Sequence, residues 1–283
     1  MLTFCGTNTT QCKIDMRYIP LNTLVKKILM SAAGVADEKR LFRAHTAVKQ
    51  KAPNDRQKYI KENGSTKWSP IKLRMTAELG NKCWYTEAEL VGEDPAIDHF
   101  RPVVDYWFLA FQISNYRVAC QYANSPKHNP VYGRPGGKGG QFPLLPPSIR
   151  ASSRSGTKLE RPVLLDPCRK SDCALLAFQA DGRPILNPTF AADPLNVTRV
   201  EESKILLNLD HPAFNSKREQ LYHDIRNDVT AYEELPPGSP SRSTIHGRLK
   251  GRLSSKAPFS VAARYYLGVH RHLPWVEKLL KAP

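Results

Sequence analysis

The chain is short of several things, and each shortage excludes something. It has no run of eighteen or more apolar residues and nothing resembling a secretory leader, so no membrane span is expected and the cytoplasm is the expected compartment. Six cysteines among 283 residues make no disulfide framework, so free thiols are expected. Acidic residues are scarce, with 26 Asp and Glu against 42 Lys and Arg and a formal net charge of +16. Phosphate-binding glycine loops, H-E-x-x-H and G-x-S-x-G are all missing, which leaves an ATPase function within this chain unsupported. No internal repeat is present.

What remains is an ordinary globular composition, 41% hydrophobic and 24% charged, long enough for one substantial core or one core with a satellite domain. The excess of positive charge draws polyanions, of which nucleic acid is the commonest in a cell.

Along the chain, residues 1–15 show no periodicity. From Leu21 to Val35 the apolar residues Leu24, Val25, Ile28, Leu29, Ala32 and Ala33 share one helical face, and a second helix is expected from Asp37 to about Lys61, broken near Pro53-Asn54. Ser69-Pro70 reads as a helix start, with the hydroxyl as cap and proline in the first turn, and Gly80 as its stop. Strands are expected at 83–87 and 96–100, then a helix from Arg117 to about Asn124. Residues 126–161, rich in Gly, Pro, Ser, Lys and Arg, read as a long mobile loop, either a plain linker or a basic flap that grips phosphates through Arg134 and Lys138. Val163–Leu165, Leu175–Phe178 and Ile185–Leu186 read as strands, the last two joined by an Asp181-Gly182 turn. Thr198-x-x-Glu201 has the form of a capping box. Further helices follow at Phe214–Leu235, near Phe259–Leu267 and after Pro274, with a break at Pro236–Pro240.

The chemistry concentrates between Lys82 and Lys127. Asp98 stands directly before His99, Asn115 follows sixteen positions after His99, and Asn124 nine further on. One-metal phosphodiester hydrolysis asks for such a set: an oxygen ligand for a hard divalent cation, an imidazole to deprotonate water, and a second ligand. Taken alone, Asp98 reads first as a surface aspartate at a strand end, and His99 has a second reading as a buried structural histidine.

The stretches K-C-W-Y-T-E (82–87), A-I-D-H-F-R-P-V (96–103), S-N-Y-R-V-A-C-Q-Y-A-N-S-P-K-H (114–128), Phe142-Pro143-Leu144 and Pro162-Val163-Leu164-Leu165-Asp166-Pro167 together resemble the HNH (ββα-metal) endonucleases. The likeness is to the PtuB-like branch found in Septu and retron-associated antiphage systems. It spans about Trp68 to Arg218 and is strongest over 96–127. Its relatives tend to begin at a sequence like Met16-Arg-Tyr-Ile-Pro, which marks Met16 as an alternative start.

The resemblance implies an α+β chain: a ββα-metal core over 76–190 inside a mostly helical protein, flanked by helical regions 1–75 and 191–283. It implies Asp98 and Asn124 as ligands of Mg²⁺ or Mn²⁺, His99 as general base, and an effector nuclease working with a PtuA-like ATPase subunit. Lys127 either contacts the scissile phosphate or is one more basic surface residue. Arg101 is a further nucleic-acid-binding candidate. Asn115, grouped with the catalytic set, is expected to hold the loop that orients His99. Relatives often carry two C-x-x-C pairs on a structural zinc, and here these read Cys83-x-x-Thr86 and Cys120-x-x-Ala123. Two thiolates do not close a tetrahedral site, so structural zinc is expected to be absent and both thiols to be packed inside, unless Cys168 and Cys173 supply the missing ligands. The alternative to catalysis is a degenerate nucleic-acid-binding subunit of such a complex. Whether the substrate is DNA or a structured RNA such as tRNA stays open.

Overall fold

A computed structural model describes residues 18–282 apart from 91 and 93, and at 134 the main chain only. The unstructured reading of residues 1–15 and the alternative start at Met16 lie outside the described residues.

Leu21, Leu24 and Ile28 form the buried stripe of α1 (Leu21–Leu29), as their spacing requires. The helix expected to run through to Val35 is cut at Ser31, whose extended backbone and hydroxyl, accepting from Gly34 N at 3.0 Å, cap α2 (Ala32–Lys49). Pro53 opens α3 (Pro53–Asn63), and α4 (Ser65–Leu79) follows almost without interruption. The start expected at Ser69-Pro70 is therefore misplaced. Gly64 keeps helical dihedrals (φ −68°, ψ −47°) and carries the chain onward, Pro70 falls inside the helix, and Ser69 bonds back to Ser65 O at 2.6 Å. Gly80 does end it, at φ +85°, where a Cβ would lie 2.7 Å from Lys256 O.

Residues 83–87 form a tight turn rather than the expected strand. Cys83 N donates to Ala88 O (2.9 Å) and Glu87 N to Cys83 O (3.0 Å), inside a single bridge between Lys82 and Glu89. The next strand is β1 (Ala96–His99), paired antiparallel with β2 (Tyr116–Ala119) so that Asp98 faces Arg117 and His99 faces Tyr116. The helix expected from Arg117 is thus half strand. Tyr116–Ala119 are all buried and pair with β1, and α5 (Gln121–Asn124) is one turn only.

The stretch read as a mobile loop is folded. It contains the hairpin β3 (Lys127–Asn129) and β4 (Arg134–Gly136), then an extended segment tied by Leu145 N to Arg161 O at 2.8 Å and by a bridge between Leu144 and Pro162. That bridge replaces the strand expected at Val163–Leu165. After α6 (Lys170–Cys173) come β5 (Leu176–Phe178) and β6 (Pro184–Leu186), joined by the expected turn, with Gly182 at φ +79° and Arg183 N on the Asp181 carboxylate.

Asp193, accepting from Leu195 N at 2.9 Å, caps α7 (Pro194–Leu206), so the Thr198–Glu201 pair lies within the helix and not at its start. The remaining helices are α8 (Pro212–Glu234), α9 (Pro240–Arg252), α10 (Ser260–Gly268) and α11 (Pro274–Lys281). Among the described residues there are three two-stranded antiparallel sheets in a mostly helical α+β protein, and no helix is long and apolar enough to cross a membrane. One hydrophobic cluster runs from Ile19 to Leu279 and draws on the N-terminal helices, the β1–β2 segment and the C-terminal helices alike.

Candidate functional site

The site is built on the end of β1. Successive residues of a strand face opposite sides, and Asp98 and His99 accordingly have different neighbours.

The Asp98 carboxylate is 3% exposed and fully engaged. Tyr85 donates its hydroxyl to Oδ2 at 2.5 Å, and the Lys138 ammonium lies 2.7 Å from Oδ1 and 2.7 Å from the His99 main-chain oxygen. Lys138 is 1% exposed. It is brought in because Lys138 N and Gly139 N donate to the Ala123 and Asn124 carbonyls at the end of α5, both at 2.8 Å. The preceding Gly137, at φ +89°, passes so close to Ser125 that a Cβ would meet its carbonyl at 1.9 Å. Lys138, expected on a phosphate-gripping flap, is therefore an interior counter-ion. Burying an ammonium demands such a partner.

The His99 ring stands edge-on to Trp68 (4.7 Å between centroids) and Tyr116 (5.0 Å). Its Nε2 lies 2.8 Å from Ala110 O, which also accepts the Tyr116 hydroxyl at 2.9 Å. A carbonyl partner places the proton on Nε2 and leaves Nδ1 with its lone pair. Burial drives the His99 pKa down to about 4; the Ala110 carbonyl and Asp98 pull it up, and Lys138 pushes it down. The imidazole is neutral near pH 7.

Asn115 is buried, and its amide brackets one main-chain unit: Oδ1 accepts from Arg101 N and Nδ2 donates to Arg101 O, both at 2.9 Å. With Phe100 N on Asn115 O at 2.8 Å, it fixes the chain just past His99. This is a positioning arrangement, with the amide spent on backbone. Asn124 ends α5, which packs against β1, and its side-chain amide has no hydrogen bond among the described residues. Lys127 is exposed on β3 and Arg134 lies on β4. Arg101 is turned toward Glu160 (2.5 Å) and Thr157 O (3.1 Å).

A second cluster adjoins this one. Cys83, Thr86, Cys120 and Ala123 are all buried, with Thr86 Oγ1 3.9 Å from Cys120 Sγ. A hydrogen bond to Cys83, together with burial, pushes the Cys120 thiol up. The two thiols pack inside as expected. Cys173 points its sulfur at Pro167 O (3.5 Å) and is not offered to them. Among the described residues no three His, Cys, Asp or Glu side chains gather as metal ligands.

The donors at β1 are oxygens, the type that suits a hard divalent cation, and Asp98 Oδ1 and His99 O already converge on a positive charge. Lys138 supplies that charge, so its ammonium and a metal ion exclude each other at this point. Tyr85 and the inward role of Lys138 were missed from sequence. Lys138 sits among glycines (Gly136-Gly137-Lys138-Gly139-Gly140), which reads as surface loop.

No protein-family model, no curated protein and no solved structure matches this chain.

Proposed function

We propose that the chain is a metal-dependent HNH-type nuclease subunit that hydrolyses phosphodiester bonds, with DNA the foremost substrate and a structured RNA the other. One observation carries this reading: the end of β1 holds a buried carboxylate and, one residue on, a neutral imidazole whose Nδ1 keeps its lone pair. His99 Nδ1 takes the proton of the attacking water. Asn115 and Ala110 hold the ring and the strand end in place. Asp98 and Asn124 would hold a Mg²⁺ or Mn²⁺ ion only with the Lys138 ammonium withdrawn from Asp98 Oδ1, and the ion when bound would polarise the phosphate and stabilise the leaving oxygen. In the antiphage setting that the resemblance suggests, ATP hydrolysis belongs to a partner subunit.

His99→Ala is expected to lower Mg²⁺-dependent plasmid nicking by about 10²–10⁴-fold while leaving DNA binding intact. Undiminished nicking by that variant removes the catalytic assignment.

A second reading, a nucleic-acid-binding subunit without catalysis, is favoured by the Asp98–Lys138 ion pair, which fills the cation position from within. It predicts binding with no chelator-sensitive cleavage by the wild-type chain.

A further inference from the structure

Beside the β1 site lies an open groove of about 560 Å³. Its lining includes three cations, Arg101, Arg154 and Lys158, and three hydroxyls, Ser114, Ser155 and Thr157, with no carboxylate and no aromatic ring among the described residues. Arg101 is neutralised by buried Glu160, but Arg154 and Lys158 are exposed and form no ion pair among the described residues. Lys49, exposed at the end of α2, extends the same positive field, since it and Arg154 both act on the neighbouring His45.

The rim is rigidly mounted. Glu160 accepts from Tyr106 (2.7 Å) and Ala151 N (2.8 Å) as well as Arg101, and Arg101 in turn holds Thr157 O. The short 3₁₀ turn Gly156–Leu159 is thereby fixed over the groove. The groove also adjoins the candidate active site: its lining includes Asn115, which brackets Arg101, and Leu109, the residue before the Ala110 carbonyl that holds His99.

We infer that this groove is the track for a sugar–phosphate backbone, gripped by Arg154 and Lys158 and read without regard to base sequence. Cations and hydroxyls without carboxylates match phosphate oxygens, and a lining without aromatic rings offers nothing for bases to stack on. The inference rests on the nucleic-acid part of the proposed function and not on its catalytic part.

The test is fluorescence anisotropy of the full chain with labelled single-stranded DNA, single-stranded RNA and duplex DNA of the same sequence, across about 50–200 mM salt. Arg154→Ala/Lys158→Ala is expected to weaken binding about tenfold on every sequence and to lower the salt slope by about 2. The control, Lys217→Ala/Lys250→Ala, removes two exposed charges from α8 and α9 and is expected to change affinity less than twofold. Both pairs are exposed, so unchanged thermal melting confirms folding. Equal losses from both variants overturn the groove assignment, as does polyglutamate displacing the probe as well as unlabelled oligonucleotide does. If His99→Ala abolishes nicking but the groove variant binds normally, the groove falls and the nuclease stands. If the groove variant loses binding and no form of the chain cleaves, the groove stands and catalysis falls.

Discussion

The two faces of β1 treat neighbouring ionisable side chains in opposite ways. Asp98 and His99 are one residue apart and both are buried, yet one side carries a closed ion pair and the other a neutral ring. On the Asp98 face an ammonium and a phenol compensate the carboxylate. On the His99 face the neighbours are two aromatic rings, packed edge-on, and the Ala110 carbonyl, which accepts the ring's hydrogen bond; none of the three carries a negative charge. Burial therefore preserves charge where a counter-charge is built in and removes it where none is. Under the proposed function, the same strand would supply an anionic ligand from one face and an uncharged base from the other.

The largest effect is expected at the ion pair. Asp98→Asn leaves the Lys138 ammonium buried without a counter-charge and is expected to cost about 3–5 kcal/mol in urea unfolding. The double variant Asp98→Asn/Lys138→Met should recover most of that loss. If the single variant is neutral, the pair is not the closed unit described above.

The other face is probed by pH. A histidine takes its proton near 6.5 when unfolded and near 4 at this site, so between these values the unfolded chain binds more protons and stability falls as pH drops. The full loss from pH 6.5 to 4 is roughly 3 kcal/mol, and His99→Gln should flatten that part of the curve. An unchanged profile would mean that the ring is protonated in place.

The smallest effect expected is that of Tyr85→Phe, which removes one hydrogen bond to a charged group and should cost about 1.5–3 kcal/mol. Loss of less than half a kilocalorie would show that the ammonium alone satisfies Asp98.

Much of the frame was legible in the sequence, for reasons that can be named. The α1 stripe, the Gly80 stop and the Asp181-Gly182 turn are local, decided by spacing or by a positive φ that glycine accepts. Order and spacing single out Asp98, His99, Asn115 and Asn124; β1 carries the first two on opposite faces, Asn115 precedes β2, and Asn124 ends α5. What was not legible depends on distant partners. Arg117–Ala119 looked helical because their pairing with β1 spans a loop of sixteen residues. Helix α9 was missed because only Ile245 and Leu249 of its polar sequence are buried. The Lys138–Asp98 contact joins residues forty apart, and its glycine setting gave no local sign of burial.

Glu87 ties the turn at Cys83 to the far end of the chain. A non-glycine residue at φ 59°, it gives its carboxylate to Lys82, to the Ser260 hydroxyl and to Val261 N, while its own carbonyl accepts from Phe259 N. The first turn of α10 is thus seated on an acid contributed from 173 residues upstream. An excised piece ending before Phe259 would take the Ser260 hydroxyl and the Phe259 and Val261 amides away from Glu87, so trimming this protein to a smaller fragment should yield insoluble or unfolded material, and shortened versions are best cut beyond α10.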